Sequence, residues 1–166
     1  NYVEAPSIGF QGKEKLGSAR GYIWSRSLPV LMDSLLIGQG PDTFFAEFPQ
    51  GDLLGKLYAY GTTQMVVDKP HNLYLQIGIN EGGIALLAFL VMMIAYLIDS
   101  FRLYALRREY DKQQIAGAAV TLAIIGYLGA GFFNDSIVSV APIFWVLFGV
   151  GVAVNQLNRK QTQTEA

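Results

Sequence analysis

The chain has 166 residues, 52% of them hydrophobic and only 15% charged, with a formal net charge of −1. Such a balance offers no basic surface for nucleic acid and no partner chosen by charge. With no cysteine and a single histidine, disulfides, thiolate metal sites, cysteine nucleophiles and metal-ligand spacings are excluded, and no Gly-rich phosphate loop precedes a Lys-Ser or Lys-Thr pair.

Residues 1–81 read as an ordinary polar mix, with six basic side chains (Lys13, Lys15, Arg20, Arg26, Lys56, Lys69) against eight acidic ones. The stretch "GSARGYIWSRSLPVLMDSLLIGQGPDTF" predicts a helix capped by Ser18. Ala19, Tyr22, Ile23, Val30, Leu31 and Leu35 supply a loose helical period, and Pro29 marks a kink or a restart. Arg20 and Trp24 share a face, whereas Arg26 points about a third of a turn away, so a straight helix does not aim both arginines at one ligand. A guanidinium here can fork onto phosphate oxygens; a lipid headgroup contact or a surface ion pair is the plainer role. In "GQGPDTF" (38–44) Gly38 and Gly40 are free to take positive φ, and Pro41-Asp42 suits a new helix start. Phe44, Phe45, Phe48, Tyr58 and Tyr60 read as rings for the headgroup layer, with a sugar-binding lining as the alternative. Residues 62–68 read as extended.

"KPHNLYLQIGINEGG" then predicts a short helix with Pro70 in its first turn and Leu73, Tyr74 and Ile77 on one face, broken at Asn80 and Gly82-Gly83. His71 therefore lies at or near a helix N-terminus, where free N–H groups and the dipole favour an anion. Imidazole can give or take a proton near neutral pH. A solvated surface histidine is the alternative.

Three uncharged runs follow, at 82–98, 113–134 and 136–158. A bilayer core needs about 20 apolar residues in a helix; the last two runs suffice, and the first does if Asp99 snorkels at its end. Transmembrane helices are expected at about 82–101, 113–133 and 137–157. Gly126, Gly129, Gly131, Gly149, Gly151 and Ala153 are expected to let helices approach closely, and Pro142 falls where a first turn tolerates it. Polar side chains within the spans are few, Thr121 and Ser139 foremost. The loop 102–112 holds Arg102, Arg107, Arg108 and Lys112, the turn "NDS" holds Asp135 and no base, and the tail holds Arg159 and Lys160. The positive-inside rule makes the basic loop and the tail 159–166 cytoplasmic, and residues 1–81 extracytoplasmic. The expected class is thus all-α: a polytopic membrane protein fragment with an outer region of short helices followed by three spans. It starts at Asn1 in a polar stretch and reads as a piece of a longer protein.

The order "ARGYIW…LPVLMDSLLIGQGPDTF", "KPHNLYLQIGINEGGIALLAFL", a basic loop and "IFWVLFGVGVAV" resembles the C-terminal part of the O-antigen ligase and polymerase family, over about residues 18–155. The motifs that carry it are Arg-x-x-x-Trp (20–24), Gly-x-Gly-x-x-x-Phe (38–44) and Pro-His-Asn-x-Tyr-Leu-Gln (70–76). The resemblance implies a multi-pass glycosyltransferase of the cytoplasmic (inner) membrane in surface polysaccharide synthesis. Such an enzyme moves a glycan from a polyprenyl pyrophosphate carrier to a glycan, lipid or protein acceptor, without metal or other cofactor. It implies catalytic roles for His71 and Arg20 and supporting, substrate-binding roles for Asn72, Tyr74 and Trp24; Arg26 is a further substrate-binding candidate without a motif match. Where the family often has Glu-x-Gly-x-x-Gly, this chain has Asn80-Glu81-Gly82-Gly83-Ile84-Ala85. Lacking upstream spans, the chain alone is expected to be inactive. Other classes are a transporter or flippase of lipid-linked sugars and a non-catalytic membrane protein whose outer loop binds a partner.

Overall fold

The computed structural model describes residues 5–105 and 110–164, so Arg107 and Arg108 of the basic loop lie outside the described residues. Within them are seven helices and no strand: α1 (Leu16–Asp33), α2 (Phe44–Glu47), α3 (Leu53–Tyr60), α4 (Leu73–Asn80), α5 (Gly83–Tyr104), α6 (Lys112–Ala130) and α7 (Ala141–Thr164). The all-α class is as expected, and α5, α6 and α7 are each long and apolar enough to cross a membrane. The chain divides into two units. One holds residues 1–87 together with Phe132–Asp135, and the other holds 88–131 and 136–166.

In the first unit α1 does not begin as expected. Gly17, Ser18 and Ala19 form a left-handed turn (φ 60, 60 and 67°), and no side chain caps the helix. The backbone of 13–15 folds over this end instead, and the Glu14 carbonyl accepts the Tyr22 N–H (3.0 Å), filling the role expected of Ser18. Nor does Pro29 break the helix. Proline has no N–H for the Ser25 carbonyl one turn earlier, and the Ile8 N–H supplies the missing donor at 2.8 Å.

The core of this unit is Tyr22, Ile23, Phe44, Phe48, Val67 and Ile79. Three of the five rings read as interfacial are therefore core or packed on it (Phe44, Phe48 and Tyr60), while Phe45 and Tyr58 are exposed. Hydrophobic burial outcompetes the headgroup layer because α3 packs on α1 and α2 on α4, which itself lies against α1. Beside the core lies a buried polar cluster. Arg26 Nε donates to Asp52 Oδ2 (2.9 Å), its Nη1 to Ser25 Oγ (2.9 Å), and its guanidinium lies 4.8 Å over the Tyr22 ring. Asp52 caps α3 by accepting the Gly55 N–H. Lys56 donates to the Gln50 carbonyl at 2.8 Å, and burial pushes its ammonium below the ordinary lysine range. Burial first, and then the Asp52 carboxylate, push the Tyr22 hydroxyl up.

In the second unit α6 opens on a capping box, with Asp111 accepting the Gln114 N–H, and ends at Ala130, short of the expected 133. Helix α7 starts at Ala141, later than the expected 137, because 137–141 form a turn in which the Val140 and Ala141 N–H groups both reach the Ile137 carbonyl; Pro142 then sits in the first turn. The close approaches match the small-residue pattern only in part. Gly151 faces the Tyr96 hydroxyl as expected, and Gly117, outside the pattern, faces the Tyr104 hydroxyl, whereas a side chain at Gly126, Gly129 or Gly149 would meet nothing within 4 Å. The spans also hold more polar groups than Thr121 and Ser139. Tyr104 donates to Asn155 Oδ1 (2.6 Å), Asn155 to Ser100 Oγ (2.8 Å) and Asn158 to the Tyr104 hydroxyl (3.1 Å), while Tyr96 and Thr121 share a bond of 3.1 Å. Asp99 pairs with Arg159. These partners lie 25 to 60 residues apart in sequence, so each reads alone as a polar blemish and only the bundle makes it a bond.

Candidate functional site

The sequence around His71 builds its own corner. Pro70 is not in the first turn of α4, as expected, but two residues before Asn72, which is the cap: its Oδ1 accepts the N–H of Tyr74 (3.0 Å) and Leu75 (2.9 Å). The core-facing side of α4 is Leu75, Gly78 and Ile79 with Leu73, while Tyr74 and Ile77 are only half-buried. Pro70 is fully buried, and its carbonyl accepts the Trp24 indole N–H at 2.9 Å. That bond pins the segment to α1. His71, squeezed between a buried proline and a cap with extended backbone (φ −160°, ψ 116°), takes φ 48°. This is the left-handed region, which histidine visits more readily than most residues but still at a cost.

Into this corner comes the loop Phe132–Asp135. Asp135 Oδ2 lies 3.0 Å from His71 Nδ1, and its Oδ1 accepts the Asn72 N–H at 3.2 Å. The carboxylate is buried (6% exposed) while the imidazole is open (43%). Asn72 Nδ2 donates to the Phe132 carbonyl (3.0 Å). Arg20 reaches the same loop: Nε donates to the Phe133 carbonyl (3.2 Å), and Nη1 donates to the Gly17 carbonyl (2.8 Å) that the left-handed turn presents. A guanidinium has five N–H groups, so these two bonds orient it and leave the others for a ligand. The Tyr74 ring packs on Phe132 (4.8 Å) and Trp24 on Phe133 (6.0 Å); burial raises the Tyr74 hydroxyl above the usual phenol range.

Arg20, Trp24, His71, Asn72 and Tyr74 thus meet on one four-residue loop. Arg26 does not join them: its side chain is 6% exposed and committed to Asp52, because six residues along a straight helix turn it toward the core. The sequence reading missed Asp135, which entered only as a charge in "NDS". The available signal was a lone carboxylate in the connection between two spans, on the side assigned to His71. Next to the group runs a cleft of about 290 Å³, whose lining includes Trp24, Leu28, Tyr74, Leu75, Leu86 and Phe132.

A Nδ1–H held by a buried carboxylate leaves Nε2 as the acceptor, so the arrangement can take a proton at Nε2 and bind an anion at Arg20. The sequence model of the family described as O-antigen ligase matches residues 2–90, more than half of the chain, and that span includes Arg20, His71 and the start of α5. No curated protein and no solved structure matches the chain. With three helices fit to cross a membrane and this match, the chain belongs to the O-antigen ligase family of membrane transferases, which ligate glycans in polysaccharide synthesis.

Proposed function

We propose that Arg20, His71 and Asp135 form the reaction centre for glycan transfer from a polyprenyl pyrophosphate carrier to an acceptor hydroxyl at the outer face of the cytoplasmic membrane. The observation that carries this reading is the His71–Asp135 pair, 3.0 Å apart, on the same short loop that holds Arg20. The acceptor oxygen attacks the anomeric carbon, and its proton passes to His71 Nε2. The bond from that carbon to the phosphate oxygen breaks, and the carrier pyrophosphate leaves with the electron pair. Asp135 keeps Nδ1–H in place and stabilises the imidazolium, as a carboxylate does for a general-base histidine. Arg20 and the N-terminal end of α4 meet the charge that grows on the leaving group, so the step calls on no metal. The apolar cleft, which leads from Asn72 and Trp24 to Leu86 in the first turn of α5, suits the first prenyl units of the carrier. The acceptor is a further glycan, a lipid or a protein.

The test is complementation by the full-length protein in cells lacking their own copy, with surface glycan and carrier-linked glycan both quantified. Removing a general base costs on the order of 10²–10⁴-fold. His71→Ala is expected to lose surface glycan at that scale and to accumulate carrier-linked glycan. Asp135→Asn, whose amide would hold the imidazole in the wrong tautomer, is expected to lose transfer on a similar scale, and Arg20→Lys to fail where the forked geometry is needed. Normal surface glycan from a well-expressed His71→Ala protein overturns the assignment.

A further inference from the structure

After α1 ends at Asp33 the chain makes a tight excursion, Ser34–Gly40, that carries no charged side chain. Its backbone is tied down at both feet. The Ser34 carbonyl accepts the Gly83 N–H (3.2 Å), the Gln39 N–H donates to the Ile79 carbonyl (2.9 Å) and the Gly40 N–H to the Asn80 carbonyl (2.9 Å). Gln39 Nε2 reaches Ser34 Oγ (3.3 Å) and closes the two legs. The fit against the α4–α5 junction is backbone on backbone. A Cβ at Gly83 would stand 2.6 Å from the Leu35 carbonyl oxygen, and one at Gly82 would stand 2.7 Å from the Gly38 nitrogen. Gly82 also takes φ 104°, open to glycine alone among common residues.

With the backbone fixed this way, the side chains at the tip cannot turn inward. Leu35, Leu36 and Ile37 are 53%, 76% and 82% exposed, and Met32, Ile84 and Leu87 beside them are exposed as well. Three consecutive exposed apolar residues on a rigid loop are unexpected in water unless something covers them. The position of the loop says what does. Its Ser34 carbonyl is bonded to Gly83, the first residue of a 22-residue helix with mean hydropathy 2.3 that is fit to cross the bilayer. A backbone fastened to the first residue of a span stands at the bilayer boundary, where apolar side chains enter the layer between headgroups and acyl chains.

We propose that Leu35-Leu36-Ile37 is a membrane-inserted tip that docks the C-terminal end of α1 into the lipid beside the mouth of α5. Asp33 and Glu81 flank it at the polar margin. Because α1 runs from Arg20 to this tip, lipid insertion sets the depth at which the Arg20 end of the helix is held. The inference rests on the membrane reading of α5 and is independent of the chemistry assigned to His71.

The test is site-directed spin labelling of the full-length protein in vesicles of phosphatidylethanolamine and phosphatidylglycerol. The residues described here contain no cysteine to remove; any elsewhere in the full-length chain is replaced first. Labels at Leu36→Cys and Ile37→Cys are compared with Leu87→Cys inside the span and Asp33→Cys at the margin. Inserted labels collide with oxygen in preference to a water-soluble nickel chelate, in the manner of Leu87 and unlike Asp33. Nickel accessibility like that of Asp33 overturns the proposal and makes 35–37 a solvated loop. Immobile labels shielded from both reagents overturn it too, since the tip is then covered by protein, from further spans or a second copy. Water-accessible labels at Leu87 as well would remove the span and the tip together. A second readout is polar substitution: Leu36→Ser with Ile37→Ser leaves the protein folded in detergent and lowers its retention of the Leu87-like oxygen signature at position 32 (Met32→Cys). An unchanged signature there counts against insertion.

Discussion

At the scale of single residues, His71 is held against its own backbone preference. Its φ of 48° costs about 1–2 kcal/mol for a residue with a Cβ, and the Asp135 bond, the Asn72 cap and the buried Pro70 together maintain it. This separates stability from function in a measurable way. His71→Gly and His71→Ala both lose the Asp135 bond, but only alanine keeps the backbone strain. His71→Gly is therefore expected to be about 1 kcal/mol more stable than His71→Ala by thermal unfolding in detergent, while both lose transfer. Equal stability of the two variants would mean that the left-handed conformation is not maintained in the protein. Asn72 shows the same economy, since one amide caps α4 through its oxygen and tethers the Phe132 carbonyl through its nitrogen.

At the scale of elements, the first unit is organised by α1, with polar commitments on both sides of it. Arg20 and Trp24 face the His71 corner, and Arg26 faces the core. Buried charges are the sensitive part. Arg26→Met leaves Asp52, whose side chain is fully buried, without its guanidinium, and is expected to cost about 3–5 kcal/mol. Arg26→Met combined with Asp52→Asn should recover part of that loss, because the charge is gone while an acceptor for the Gly55 N–H remains. Denaturation midpoints of the two proteins check this; a double variant no better than Arg26→Met would mean that packing of the guanidinium on Tyr22, and not the stranded charge, dominates. In α5–α7 Asp99 is paired with Arg159 and also approached by Asn155 at 3.2 Å, but this pair is part-exposed. Snorkelling alone does not describe it.

At the scale of the whole molecule, the uneven charge of the connections sets the expected sidedness. Lys112, Arg102 and the α7 tail are expected on one side, and residues 1–81 with the connection after α6 on the other. Cysteines at Lys112 and Val138, the latter 91% exposed, test this with a membrane-impermeant maleimide on spheroplasts. Val138→Cys is expected to react in intact spheroplasts and Lys112→Cys only after lysis. The reverse pattern would put His71 on the side away from the proposed acceptor and end the outer-face reading.

Much of this protein is legible from its residues alone. Helical class, three apolar spans and the break at Gly82-Gly83 follow from composition and period, because a bilayer and an α-helix each impose a length and a repeat that local sequence must carry. The Pro-His-Asn and Arg-x-x-x-Trp motifs likewise mark one end of α4 and one face of α1. What sequence could not supply is pairing across distance. Asp135 lies 64 residues from His71, Asp52 lies 26 from Arg26, and the acceptor that Trp24 finds is a backbone carbonyl 46 residues on. Helix period turns Arg26 a third of a turn from Arg20 and only Arg20 falls in a motif, yet nothing in the spacing of such residues says which arginine a core carboxylate claims. Tertiary structure decided between them by rotating one guanidinium into a low-dielectric core beside a carboxylate, and by leaving the other at an open corner with N–H groups to spare.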